Sequence, residues 1–85
     1  MRLDKYLKNS RLIKRRTVAR EACDKGHVSI NGKVSKAGAE VDIGDEIVIV
    51  FGQSTVKVRV LSVEDNPGKA EAGSLYEIIE ESKNH

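Results

Sequence analysis

The 85-residue chain has one cysteine, one proline, no tryptophan and three aromatic residues, Tyr6, Phe51 and Tyr76. Each shortage excludes something. The lone thiol, Cys23, cannot close a disulfide within the chain, so a reducing, cytoplasmic compartment is expected. No companion cysteine or suitably placed histidine turns Cys23 toward metal or thiol chemistry, and it reads as a small core residue. The longest purely apolar run, Ile47–Phe51, is five residues, whereas a bilayer span needs about 20, so no membrane partner is expected. The N-terminus, MRLDKYLKNS, is basic but lacks the apolar region of a secretory signal. Three aromatics offer few platforms for stacking unpaired bases, which counts against a binder of single strands.

The signatures of catalysis are missing too. The two histidines, His27 and His85, stand at no suggestive spacing from a Cys, Ser or Asp, and the carboxylates of the second half are scattered. There is no Gly-rich phosphate loop, no metal-ligand spacing and no dinucleotide fingerprint. The expectation is a protein that is not an enzyme and uses no cofactor or metal.

What is abundant is positive charge, in one place. Ser10 to Arg20 carries Arg11, Lys14, Arg15, Arg16 and Arg20 with no carboxylate among them. Residues 1–36 hold 11 Lys/Arg against Asp4, Glu21 and Asp24, a net +8, while residues 37–85 hold 4 Lys/Arg against 10 Asp/Glu, a net −6. Crowded cations repel one another unless something anionic sits opposite. Asymmetry between halves points to a partner on one side only.

The apolar spacing divides the chain into two short helices and a set of strands. Leu3 and Leu7, with Tyr6 beside them, predict a helix over roughly residues 3–9 with Arg2, Asp4, Lys5 and Lys8 on its wet side. Thr17 is placed to cap a second helix over roughly 18–25, with Val18, Ala19, Ala22 and Cys23 as its apolar stripe. Gly26 is placed to end it. The period then changes to two. Val28–Ile30, an Asn31-Gly32 type I′ turn and Lys33-Val34 read as a hairpin. Val41 and Ile43 alternate before a Gly44-Asp45 turn, Glu46–Phe51 reads as a strand, and Val56, Val58 and Val60 alternate in another. Residues 64–74 read as a mobile polar loop. Leu75–Glu80 fits a helix or a strand; the need of the preceding strand for a partner favours a strand. Ser82–His85 is expected to fray. The fold class expected is α+β: two short N-terminal helices followed by a small, mainly antiparallel sheet, in one domain.

The start of the second helix combines exposed backbone N–H groups and the positive dipole end with Arg15 and Arg16, and Arg20 lies one turn on. Arginine's planar fork grips phosphate bidentately. With so few aromatics, structured A-form RNA read by shape and backbone fits better than single strands. A helix-turn-helix DNA reader would need a longer recognition helix and usually a dimer interface, and a monomer is expected instead. Lys33 and Lys36, at the hairpin, either extend the footprint or are solvated strand ends.

The segments RLDKYL, SRLIKRRTVAREACDKGHVSINGK and VDIGDEI, over roughly residues 1–50, resemble the alpha-L RNA-binding domain, the module named after small-subunit ribosomal protein S-four. That resemblance implies two helices and a hairpin forming an L-shaped surface that grips structured RNA, with residues 51–85 completing the same domain. The enzymes that often carry such a module are not found in this sequence, so what the resemblance implies is a stand-alone binder. Among stand-alone members the MRLDKYLK and SRLIKRRT segments, and FGQ followed by a late YEII, are similar to the group that serves bacterial ribosome-associated quality control. The resemblance implies docking on large-subunit rRNA and on stranded peptidyl-tRNA, beside a tailing factor of the NEMF type (RqcH) that adds an alanine tail. Carried onto this chain, Arg2 and Arg16 would grip RNA, with Asp4 as a contact or positioning residue. For Asp4 an ion pair with Arg16 or a role at the helix dipole stands equally open. The full set expected at RNA is Arg2, Asp4, Lys8, Arg11, Lys14, Arg15, Arg16, Thr17, Arg20, His27 and Lys33. Two alternatives stand beside this. One is a heat-shock-type ribosome-recycling relative, whose longer basic C-terminal extension contrasts with Glu77, Glu80 and Glu81 here. The other is a protein–protein adaptor with a basic face.

Overall fold

The computed structural model describes residues 1–63 and 75–83. Two helices, α1 (Leu3–Asn9) and α2 (Arg16–Asp24), precede five strands: β1 (Val28–Ile30), β2 (Lys33–Val34), β3 (Glu46–Phe51), β4 (Ser54–Val60) and β5 (Tyr76–Lys83). The strands form one antiparallel sheet in the order β2-β1-β3-β4-β5. The expected loop at 64–74 lies outside the described residues.

The registers put apolar residues on one face. Val28 pairs with Ile49, Ile47 with Val58, and Val60 with Tyr76. Leu3, Tyr6 and Leu7 of α1 and Ala19 and Cys23 of α2 close over that face, making one core with Val28, Val41, Ile47, Ile49, Val58, Val60 and Leu75. Each of these large side chains contributes about 1.5–3 kcal/mol by leaving water. A buried Tyr6 hydroxyl donates to the Leu75 carbonyl at 2.7 Å. That carbonyl also accepts the Leu61 and Ser62 N–H groups, so the entry of β5 is tied to α1. The opposite sheet face carries ion pairs beside Val48 and Val50: Glu46 bridges Lys57 at 3.1 Å and Arg59 at 3.5 Å, and Arg59 reaches Glu77 at 2.9 Å.

Of the ambiguous segment Leu75–Glu80, all but Leu75 resolves as strand, because β4 supplies the partner ladder from Tyr76 on. Several local expectations fail. Of the segment Ser82–His85 expected to fray, Ser82 and Lys83 instead pair with Thr55 and Ser54, and residues 84–85 lie outside the described residues. Val41 and Ile43 are in no strand: Val41 is buried, its N–H bonded to the Met1 carbonyl at 2.8 Å, and Ile43 is exposed. Val18 is 48% exposed and leaves the stripe to Ala19 and Cys23. Nor does Thr17 cap α2. The helix begins at Arg16, and the N-cap is Arg15, extended at φ −122° with no side-chain cap bond.

The far end of α2 behaves as its sequence dictates. Gly26 adopts φ +80°, and the His27 and Gly26 N–H groups return to the Ala22 and Cys23 carbonyls at 2.9 and 3.0 Å. This is a Schellman closure, which needs the left-handed residue that glycine supplies without strain. Asn31 (φ +52°) and Gly32 (φ +83°) make the expected type I′ turn.

Candidate nucleic-acid interface

The polar centre of the helical layer is Asp4, and it is not on the wet side of α1. Its side chain is 0% exposed, while those of Arg2, Arg16 and Arg20 around it are 52%, 45% and 58% exposed. Arg2 Nε donates to Oδ1 at 3.3 Å and Arg16 Nε to Oδ2 at 3.3 Å, with Arg20 Nε 3.9 Å from Oδ2. The Lys5 backbone N–H adds a bond to Oδ1 at 2.8 Å. A buried carboxylate without such partners would be costly. Burial pushes the Asp4 carboxyl upward. The Arg16 hydrogen bond, the Lys5 N–H and the charges of Arg16 and Arg2 outweigh it and hold the group below its ordinary value.

The geometry divides the work within each arginine. In all three arginines it is Nε that faces the carboxylate; the terminal nitrogens of the planar fork are not used in these contacts, and a terminal nitrogen of Arg2 packs beside Gly38. One anion thereby orders three cations that would otherwise repel. Asp4 is accordingly a residue beneath the surface: the expectation of direct RNA contact does not fit a side chain with no exposure.

The other expected residues fall into three groups. Arg15, Arg16 and Thr17 surround the uncapped start of α2, where the first N–H groups have no side-chain acceptor. Lys8, Arg11, Lys14 and Arg15 are exposed, and among the described residues their side chains form none of the ion pairs that occupy Arg2, Arg16 and Arg20. His27 and Lys33 are exposed near the C-terminal end of α2, where Lys36 Nζ lies 3.5 Å from the Asp24 carbonyl. Cys23 is buried, and burial, followed by the Asp4 and Asp24 charges, pushes its thiol up to about 11. Both effects disfavour the thiolate, the nucleophilic form, and fit Cys23 as a core residue.

Sequence reading missed the hairpin anchor. Asn31 Nδ2 donates to Asp45 Oδ1 at 3.1 Å, and the Glu46 N–H donates to Asn31 Oδ1 at 2.9 Å. Asp45 Oδ2 in turn accepts the Asp42 N–H at 2.9 Å. The two turn signals, Asn31-Gly32 and Gly44-Asp45, were visible separately; their contact was not.

Two short helices and a hairpin bearing an exposed arginine cluster define an RNA-binding module, and the family model described as S4 domain matches residues 1–47. An RQC P-site tRNA stabilizing factor of Halalkalibacterium halodurans is 54% identical over 81 residues, covering 95% of this chain and 92% of the relative. That of Bacillus subtilis is 52% identical over 83 residues, covering 98% and 96%. The Heat shock protein 15 homolog of Aeromonas salmonicida is 41% identical over 83 residues, covering 96% of this chain but 63% of its own length. Among solved structures, trimeric Vibrio cholerae Heat Shock Protein 15 superposes with a TM-score of 0.84 at 33% identity, covering 92% of this chain and 80% of that one. The chain belongs to the S4-domain family and, within it, to the family of RQC P-site tRNA stabilizing factors.

Proposed function

We propose that this protein docks on the large ribosomal subunit and on the peptidyl-tRNA of stalled, split ribosomes, in the cytoplasm, and holds that tRNA during ribosome-associated quality control. The observation that carries the reading is end-to-end similarity, above 50% identity, to relatives named RQC P-site tRNA stabilizing factor. The Asp4-ordered arginines and the uncapped α2 start supply a matching chemistry, since both favour phosphate. Arg2, Arg16 and Arg20 grip the backbone from the ordered cluster; Lys8, Arg11, Lys14, Arg15, the Thr17 region, His27 and Lys33 extend the footprint. In this reading the protein acts as a monomer and does no chemistry itself. The alanine tail is added by a NEMF-type factor (RqcH) bound to the same subunit.

Heat-shock-type recycling is the second reading, favoured by the Vibrio fold match, but the chain covers only 63% of the Aeromonas relative. Co-sedimentation with purified large subunits, empty or carrying peptidyl-tRNA, separates the two. The tRNA-stabilizing reading expects at least several-fold tighter association with the loaded subunit. Equal binding to empty and loaded subunits would favour recycling, and no binding to either would refute both.

A further inference from the structure

Arg11 stands in the left-handed region, φ +63°, immediately after α1. Residues with a Cβ occupy that region at a cost. Two other positions in the same chain show how the cost is normally met. Where α2 ends, the corresponding left-handed residue is Gly26. Among the described residues the one other non-glycine residue with positive φ, Asn31, lies in a turn that demands it and is bonded through its side chain to Asp45 and to the Glu46 N–H. Arg11 has neither remedy: its side chain is exposed and makes no hydrogen bond or ion pair among the described residues.

The backbone around it is firmly held. The Arg11 N–H donates to the Lys8 carbonyl at 3.0 Å, the Ser10 N–H to Tyr6 at 2.9 Å and the Ile13 N–H to Leu7 at 3.1 Å. The Ser10 hydroxyl adds a bond to the Leu7 carbonyl at 3.2 Å, and Ser10 and Ile13 are 1% and 6% exposed. These bonds fix the turn whatever side chain position 11 carries. Glycine or asparagine would serve the fold better than arginine.

We propose that Arg11 is retained against the interest of the fold because it contacts the phosphate backbone of the bound RNA, from a rigid turn separate from the Asp4 cluster. This rests on the RNA-binding reading above. It adds that stability and binding pull in opposite directions at this one residue.

The test is Arg11→Asn and Arg11→Gly, each measured for melting temperature and for binding to purified large subunits across a salt series. Lys25→Gln removes the same charge elsewhere, and Arg16→Ala reports on the ordered cluster. Arg11→Asn is expected to raise the melting temperature by a few degrees, and Arg11→Gly not to lower it. Both should weaken binding several-fold more than Lys25→Gln and flatten the log–log salt slope by about one unit. A lowered melting temperature in both variants would make Arg11 a structural residue and overturn the proposal. So would binding no weaker than that of Lys25→Gln while Arg16→Ala still binds poorly. If Arg16→Ala is also unaffected, the RNA-binding reading falls with it.

Discussion

At the scale of single residues, Asp4 decides most about the interface. Asp4→Asn keeps the shape, removes the buried charge and raises the net positive charge of the protein by one. If affinity for RNA followed charge alone, the variant would bind more tightly. Because Asp4 orders the arginines, the expected result is several-fold weaker binding to large subunits, measured beside wild type at one salt concentration. The stability cost should be about 1–3 kcal/mol in urea melts, less than for a fully buried pair, since the released arginines are already half exposed to water. Acid titration reads the same group. Its folded value lies below the ordinary 3.8, so its contribution is fully present above the unfolded value and is lost as pH falls through the folded one. Asp4→Asn should therefore narrow its stability gap from wild type in that acid range and keep it in full near neutrality. The local pattern around Leu3 and Leu7 gave Asp4 a solvent-facing place, because Arg16 and Arg20 are 12 and 16 residues away. Only the packing of α2 on α1 brings them to it.

At the scale of elements, what depends on neighbouring residues was legible and what depends on distant partners was not. The Asn31-Gly32 turn and the Gly26 helix stop follow from backbone sterics within a few residues, and both stand where the sequence puts them. The start of α2 does not: Thr17 is a good cap by type, yet the helix begins at Arg16 with bare N–H groups. A cap left out beside Arg15 and Arg16 suits a helix end that receives an external anion. The ambiguity of Leu75–Glu80 was real, since its apolar spacing fits both periods and only the β4 ladder settles it. The hairpin turn gives the clearest test at this scale. Asn31→Gly keeps the turn and loses the side-chain bonds to Asp45 and Glu46, for about 1 kcal/mol. Asn31→Ala loses the same bonds and forces a Cβ into φ +52°, for about 2–3 kcal/mol in total. Equal losses in chemical denaturation would mean that the turn is not strained by a side chain.

At the scale of the whole molecule, the charge asymmetry becomes spatial. The structure is 35 Å along its longest axis, about four screening lengths at physiological salt. Glu80 and Glu81 lie on the edge strand β5, opposite Lys57 and Val56 of β4, whereas the clustered cations are carried by α1, α2 and the turn between them. The helices do not cover the outer part of β5, where Ile78 is 54% exposed. Contact with a polyanion is favoured through α1 and α2 and opposed at that acidic edge, which orients the protein as well as attracting it. The fold class was readable because helix and strand periods are written locally. The Asp4–Arg16 ion pair was one of the two readings the sequence left open, and the structure forms it; the burial of Asp4 and the approach of Arg2 and Arg20 were not legible, because they exist only once the two helices are packed together.

The most direct measurement is the salt dependence of binding to large ribosomal subunits, for wild type and Arg16→Ala, with an RNase-treated control. About six phosphate contacts would give a log–log slope near −4 to −5, flattened by about one unit in Arg16→Ala, and association lost after RNase. A shallow slope unchanged by Arg16→Ala, with association surviving RNase, would contradict RNA binding through this face and point to a protein partner instead.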